Sequence, residues 1–306
     1  MSATVAPSSE PSANEELRRL TEPFQFDDAD VILRAQGLEF LAHRFLLSHV
    51  SPVFKDMFSL PRDAQTSQEG RPVVDLTEDA QTIHDILSCL YPGIEDPHFE
   101  SLPSLQAFLL AVRKYSMSKL QDRMAKPLEA KAQGDPVRVF IIACKAGLSQ
   151  VARIAAKHTL TWEFVDLALC DIPELNQLHH STIRKLLQYH HTCGSTVART
   201  IRRHECPIAL HWSPNVMTPQ GQRVDCRQWW TNYIEHFAER SEYRPMQLNY
   251  KDVSLIESWC SPARPCSICG SSAVPHLIRL GESLEKEVEA CIIGVDLPLD
   301  DDDFLI

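Results

Sequence analysis

The pattern of apolar and polar positions changes its period near the start of the chain. Two short apolar runs, Asp30 to Leu33 and Leu38 to Leu41, flank Gly37 and predict a β-hairpin with a loop of a few residues. From His43 onward the apolar positions recur at helical intervals. They are Phe45, Leu46, Val50, Val53, Phe54, Met57 and Phe58. A strand pair followed by two packed short helices is typical of an α+β core, and this stretch contains no catalytic motif.

The order of these motifs resembles the BTB/POZ domain. That family begins with Asp-Val-x-Leu, a hairpin and Phe-x-x-His-Lys/Arg, and the chain has Asp30-Val31-Ile32-Leu33 and Phe40-Leu41-Ala42-His43-Arg44. Val73 to Leu76 then resembles the third strand, Ala80 to Leu90 the next helix, and Leu102 to Tyr115 with Lys119 to Glu129 the closing helix pair. The resemblance covers residues 24–130. It implies a short mixed sheet capped by helices and a non-enzymatic function in protein–protein interaction.

The resemblance also implies a self-association site. In transcription-regulating BTB domains, the positions of Asp30 and Arg44 form a charged pocket at the dimer interface. The alternative is that the pair only fixes the hairpin against the helix. His43 is expected to cap the helix or fill the core. The apolar residues of an N-terminal helix and its continuation would form the rest of the interface: Leu17, Leu20, Phe24 and Phe26.

A second implication is a role as a ubiquitin-ligase substrate adaptor bound to a cullin scaffold. The family contact uses a hydrophobic-x-acidic motif after the Met-Phe helix. Here Leu60 and Asp63 are one position too far apart, and Pro61 lies between them. This departure weakens the expectation of cullin binding, so the partner of an adaptor or scaffold function stays open.

The rest of the chain divides by its breaks and its composition. Residues 1–23 are expected to form a disordered tail and a short helix, Glu15 to Leu20, without a signal peptide. Residues 136–180 predict a helical extension, and 181–295 a mostly helical module whose first helix, Ser181 to about Arg203, has Gly194 as a candidate break. Another amphipathic helix is predicted from Ser272 to Ile292. Residues 296–306 read as a solvated acidic tail.

Cysteine and histidine spacing in the C-terminal module suggests a metal knuckle. Cys266-Ser-Ile-Cys269 places two thiolates on a tight turn, as a tetrahedral zinc site requires. His190 and Cys193 would complete a structural site, with Cys206 as an alternative ligand. The region also resembles the Cys/His-containing extension of BTB proteins from mushroom-type fungi, through Leu186 to Cys193, Trp229-Trp230 and the late CxxC. Simple packing of these residues is the competing interpretation.

Charge and composition limit the alternatives. The net charge of −11 argues against nucleic acid or an anionic membrane as the main partner. Two other functions are considered: a zinc-containing transcriptional regulator using Arg199, Arg202 and Arg203, and a metal-dependent enzyme in the C-terminal module. The second lacks any H-E-x-x-H or deaminase spacing. Ten cysteines without a secretory signal indicate an intracellular protein, in the cytoplasm or the nucleus.

Overall fold

The structure is a computed structural model that describes residues 20–59, 70–206, 215–217, 223–225, 227–266 and 269–304. The predicted helix from Glu15, the Leu17 site and the Leu60/Asp63 motif therefore lie outside the described residues. The described chain forms two compact units. One contains the described residues of Met1–Lys131 together with Lys145–Val151, and the other contains those of Ala132–Cys144 with Ala152–Ile306.

The first unit is built on a three-stranded mixed sheet. Strand β1 (Val31–Ala35) pairs antiparallel with β2 (Leu38–Ala42) and parallel with β3 (Val73–Asp75), in the order β2-β1-β3. Gln36 and Gly37 both have positive φ, at 48° and 82°, and form the two-residue turn of the hairpin. Such a turn matches the twist of the flanking strands. The α+β fold class predicted from the pattern is confirmed.

The described residues of the first unit also form five α-helices. They are α1 (Arg44–Val50), α2 (Pro52–Ser59), α3 (Ala80–Leu90), α4 (Leu102–Lys114) and α5 (Ser118–Ala130), preceded by a 3₁₀ turn, Glu22–Phe24. Ser51 joins two of them to the core: its buried hydroxyl donates to the carbonyl of Tyr115 at 2.6 Å and accepts from the amide of Phe54 at 3.1 Å. The ring of Tyr115 stacks on Phe54, with centroids 4.6 Å apart. These contacts hold α1 and α2 in a fixed relation to α4.

The second unit is mostly helical, as predicted. Its helices include α8 (Phe164–Leu169), α9 (His180–Arg202), α10 (Gln228–Tyr243), α11 (Val253–Cys260) and α12 (Cys269–Ile293), with α6 (Pro136–Ala146) and α7 (Ser149–Thr159) divided between the two units. There are 3₁₀ turns at Pro173–Gln177, Ser261–Ala263 and Asp301–Phe304. Short strands β4 (Asn215–Met217) and β5 (Arg223–Asp225) pair antiparallel.

Helix α9 continues through Gly194, where the sequence suggested a break. A Cβ atom at this position would lie 2.4 Å from the carbonyl oxygen of Glu242 on α10. The glycine therefore permits close approach of two helix backbones, and the helical hydrogen bonds continue past it. Glycine has two separate uses in helices, termination and close packing, and only the tertiary partner distinguishes them.

The acidic C-terminal segment is folded against the second unit over its described residues, where a solvated tail was expected. Asp303 is 4% exposed and accepts from Lys185 Nζ and Thr182 Oγ1, both at 2.7 Å. Asp296 pairs with Arg153 at 2.9 Å, and the adjacent Leu297 is buried. Arg153 on α7 and Lys185 on α9 therefore hold in place an acidic segment that its composition alone would predict to be solvated.

Candidate functional site

Asp30 and Arg44, the residues of the predicted charged pocket, do not form a salt bridge with each other in the structure. Asp30 Oδ1 accepts from the backbone amide of Arg44 at 2.7 Å, at the first residue of α1. The Arg44 guanidinium instead donates from Nη2 to the carbonyl of Phe58 at 2.7 Å and lies 5.1 Å from the centre of the Phe58 ring. The carboxylate thus caps α1, and the arginine ties α1 to the end of α2.

His43 joins a hydrogen-bonded aromatic cluster beside this cap. Its Nδ1 and its backbone amide both lie 2.9 Å from the Tyr91 hydroxyl, and its Nε2 lies 3.1 Å from Asp28 Oδ1. Phe26 stacks on the Tyr91 ring, with centroids 4.8 Å apart. Burial raises the pKa of Tyr91 above its usual value. The arrangement positions the chain entering the hairpin.

The predicted interface residues near the N-terminus separate into two groups. Phe24 has no exposed surface and packs against Phe40, His84 and Tyr91, with ring centroids 5.5 to 5.9 Å apart. Its side chain therefore belongs to the core of its own unit and has no surface to offer a partner in this conformation. Leu20 and Phe26 are half-buried.

An exposed aromatic side chain on α1 was missed by the sequence interpretation. Phe45 is one of the apolar residues that recur at helical intervals, but it is 83% exposed and stacks on His49 of the next turn, with centroids 6.3 Å apart. The buried position of α1 is Leu47. The signal was present in the sequence: Phe45, Leu46 and Leu47 are consecutive, and one narrow helix face cannot bury all three.

His190 is buried in the second unit and is held by packing. It has no exposed surface; its Nε2 lies 3.1 Å from the carbonyl oxygen of Trp162, and the ring of Phe164 is 5.7 Å away. Burial lowers the pKa of His190, and its Nδ1 has no hydrogen-bond partner among the described atoms. Cys193 is equally buried, and burial raises its pKa to about 11.

The four predicted metal ligands are not brought together. Helices α9 and α12 run antiparallel, because Thr200 Oγ1 lies 3.3 Å from Cys291 Sγ and His204 Nε2 lies 2.9 Å from Glu287 Oε2. From the Thr200/Cys291 contact, Cys193 and Cys269 lie in opposite directions along their helices. At 1.5 Å per residue, the two thiols are roughly 40 Å apart. Among the described residues no group of three or more His, Cys, Asp or Glu side chains could hold a metal ion.

The Cys266/Cys269 turn itself has a compact geometry. The amide of Cys269 donates to Cys266 Sγ at 3.5 Å, and the amide of Gly270 donates to the Cys266 carbonyl at 2.8 Å. A Cβ atom on Gly270 would lie 2.6 Å from the Arg264 carbonyl oxygen, so glycine is needed here. Both thiols lie at or just before the start of α12, and a structural zinc ion takes four protein ligands.

The basic cluster of the transcription-regulator alternative is partly neutralised. Arg202 pairs with Glu235 at 3.2 Å and with Glu242 at 2.7 Å, both on α10. Arg199 and Arg203 are exposed. A strong phosphate-binding surface needs several unpaired cations in one stripe, and two exposed arginines fall short of that.

The first unit has the fold and the motifs of a protein-interaction domain. The family model of the BTB/POZ domain matches residues 20–132. These residues form a BTB/POZ domain, a class of domain that mediates protein–protein interaction. No curated protein matches the chain. Over the described residues, none of the helices has the length and apolar character needed to cross a membrane.

Proposed function

We propose that the chain is a non-enzymatic adaptor or scaffold that homodimerises through its BTB/POZ domain. The observation that carries this proposal is the exposed Phe45 on α1, 83% accessible beside His49. A solvent-facing aromatic ring of this size loses unfavourable hydration when a partner covers it. Phe45 also belongs to the helix that Asp30 caps, so the ring is presented by an ordered element.

A second copy of the chain is the partner that best fits this face. A two-fold contact uses the same patch twice, so each dimer would bury two Phe45 rings. Leu17 and Leu20 of the N-terminal segment supply further apolar surface in sequence, and Leu20 is half-buried in the single chain. The Asp30 carboxylate and the Arg44 guanidinium border the face but are already satisfied within the domain.

Analytical ultracentrifugation of the full chain tests self-association. The wild type is expected to sediment as a dimer, and Phe45→Asp, or Leu17→Glu with Leu20→Glu, as a monomer with unchanged circular dichroism. Ile293→Asp is the matched control, because Ile293 is 72% exposed on a helix of the second unit. A monomeric wild type, or a Phe45→Asp variant that still dimerises, would disprove the proposed interface.

A cullin scaffold is the more specific partner that we propose for the adaptor function. The support is the family resemblance of the BTB/POZ domain, and the Leu60/Asp63 spacing argues against it. A binding assay with purified cullin N-terminal domains decides this branch. Dissociation constants above about 100 µM for every cullin would exclude the ubiquitin-ligase role and leave a homodimeric scaffold as the proposed function.

We also propose a structural zinc ion held by Cys266 and Cys269. The sulfur-directed amide of Cys269 and the tight turn at Gly270 support it. Cys206, the alternative ligand predicted from the sequence, follows His204, which contacts Glu287 on α12; this contact lies 18 residues beyond Cys269, roughly 27 Å along the helix, so Cys206 is also distant from the turn. Cys226 and His211 of the same region lie outside the described residues.

Zinc content of the purified chain tests this site. One zinc per chain is expected, lost when Cys266 and Cys269 are both changed to serine and retained in Cys193→Ala. Loss of zinc in Cys193→Ala would restore the ligand set predicted from the sequence, and a zinc-free wild type would exclude the site. A metal with three protein ligands and one water would favour the enzyme alternative.

A further inference from the structure

A second exposed apolar face lies on α8 in the other unit. Val165 is 50% exposed and Leu169 is 78% exposed. The two residues are four positions apart, so their side chains lie on the same side of the helix. The opposite side holds Leu167, which is buried, and Phe164, whose ring lies 5.7 Å from that of His190. Helix α8 is therefore anchored through one apolar side and presents a second one to solvent.

Three acidic residues lie within two positions of Val165 or Leu169 along the chain. Glu163, Asp166 and Asp171 are all exposed, and none of them has an ion-pair partner among the described residues. The contrast with the following turn is clear, because Glu174 there pairs with Arg138 at 3.2 Å. The two exposed aliphatic residues are thus flanked along the chain by exposed carboxylates without an ion-pair partner among the described residues. We call Val165 and Leu169 with these three carboxylates the α8 face.

We propose that the α8 face docks a basic amphipathic segment of a partner protein. Such a segment would place apolar side chains three or four residues apart against Val165 and Leu169, with Lys or Arg beside them. The rim argues for this chemistry, because complementary charge favours a cationic partner and repels an anionic one. An anionic membrane and an acidic peptide are both disfavoured, and two α8 faces in contact with each other would bring like-charged carboxylates together.

This surface is independent of the proposed dimer. Its residues all belong to the second unit, and Phe45 belongs to the first. If both proposals hold, one dimer carries two copies of the α8 face. The second segment of a partner with two basic segments would then bind at a raised effective concentration. If the dimer proposal fails, the α8 face still binds as a single site.

Selection from a phage-displayed library of helical peptides tests the proposed chemistry. The target is the full chain, and the counter-target is Val165→Asp with Leu169→Asp. Peptides that bind the wild type and fail on the variant are expected to be rich in Lys and Arg beside apolar residues at helical spacing. Replacing Leu169 alone should raise the dissociation constant of a selected peptide by about ten-fold or more.

Two further variants complete the design. Asp166→Lys with Asp171→Lys should abolish binding of the same peptides, and Ile293→Asp, which changes an exposed aliphatic residue elsewhere in the unit, should leave it unchanged. The proposal is overturned if no peptide distinguishes wild type from the Val165/Leu169 variant, or if those that do are acidic or uncharged. It is also overturned if that variant lowers the oligomeric state, since a second copy would then cover the face.

Discussion

The carboxylate of Asp30 accepts a hydrogen bond from the backbone amide of Arg44, with Oδ1 and N 2.7 Å apart, and it forms no salt bridge with the Arg44 guanidinium. The guanidinium is engaged by the Phe58 carbonyl. The two residues that resemble a charged pocket therefore have separate structural functions in the single chain. Asp30 accepts from an amide at the start of a helix, where its negative charge also interacts favourably with the positive end of the helix dipole.

We expect Asp30→Ala to destabilise the BTB/POZ domain by about 0.5–2 kcal/mol, the usual loss for an N-terminal cap. Asp30→Asn should retain most of this stability, because the amide oxygen can still accept from Arg44. Thermal unfolding followed by circular dichroism is the suitable measurement. Tryptophan fluorescence would not report it, since all five tryptophans lie at position 162 or beyond.

A double-mutant cycle separates this geometry from a salt bridge. Arg44→Gln removes the charge while keeping the backbone amide that Asp30 contacts. The effects of Asp30→Asn and Arg44→Gln are expected to add within about 0.5 kcal/mol, as for residues without a direct side-chain interaction. A coupling well above that value would mean that the carboxylate and the guanidinium do interact in solution.

Gly194→Ala is expected to destabilise the second unit by about 1–3 kcal/mol through overpacking. The added methyl group would lie 2.4 Å from the Glu242 carbonyl oxygen, so α9 and α10 must separate. This loss should exceed the gain of about 1 kcal/mol that alanine brings to a helix interior. Urea unfolding followed by tryptophan fluorescence measures the difference.

Thr192→Ala is the matched control on the same helix. Thr192 is exposed, so alanine should leave the unfolding free energy unchanged or raise it by a few tenths of a kcal/mol. If Gly194→Ala also proves neutral or stabilising, the close approach of the two helices is not present in solution.

The residues that sequence reasoning placed well are those whose conformation is decided locally. Gly37 predicted the hairpin because a two-residue turn needs positive φ, and the turn has it at Gln36 and Gly37. Gly194 and Asp303 were misassigned because their partners, Glu242 and Lys185, are distant in sequence. Spacing alone gives no signal for such contacts.

The candidate sites show the same division. Cys266 and Cys269 are three residues apart, and the Cys269 amide donates to Cys266 Sγ at 3.5 Å, which is a local contact. His190 and Cys193 also have a ligand-like spacing, but the antiparallel arrangement of α9 and α12 carries them away from the turn. The exposure of Phe45 was not predicted, because helical periodicity identifies apolar positions without locating the edge of the buried stripe.

His190 should make the second unit less stable as the pH falls below about 6.5. Burial lowers the pKa of His190, so the folded state keeps the ring neutral while the unfolded chain binds a proton near the ordinary histidine pKa. The unfolded state therefore gains protons first, and the free energy of unfolding falls by up to about 1.4 kcal/mol per pH unit. Urea unfolding by tryptophan fluorescence between pH 7.5 and 5.5 measures the slope.

His190→Gln should reduce this slope, because the amide nitrogen of glutamine can still donate to the Trp162 carbonyl while carrying no titrating group. Thr192→Ala, at a nearby exposed position without a titrating group, is expected to leave the slope as it is. Burial also lowers the pKa of the partly exposed His236, so His236→Gln should remove a part of the slope as well. An unchanged slope in His190→Gln would show that this ring binds a proton equally well in the folded and the unfolded chain.

The C-terminal segment should contribute to stability through Asp303. Burial favours the neutral acid, but hydrogen bonds from Lys185 and Thr182 outweigh it and the pKa of Asp303 is lowered. Its stabilising effect is therefore present above about pH 4 and is lost as the pH falls through the lowered value. Asp303→Asn leaves the half-buried Lys185 with Asp300 as its remaining ion-pair partner among the described residues, and should cost about 1–3 kcal/mol at pH 7.

Asp302 provides the control for charge alone, because it is adjacent to Asp303, exposed, and without an ion-pair partner in the described part of the chain. Asp302→Asn removes the same unit of negative charge and should change the unfolding free energy by less than about 0.5 kcal/mol. The difference between the two variants should persist at 0.5 M NaCl, because salt screens a buried pair much less than an exposed one. Equal effects of the two substitutions would mean that the acidic segment is solvated, as its composition alone suggests.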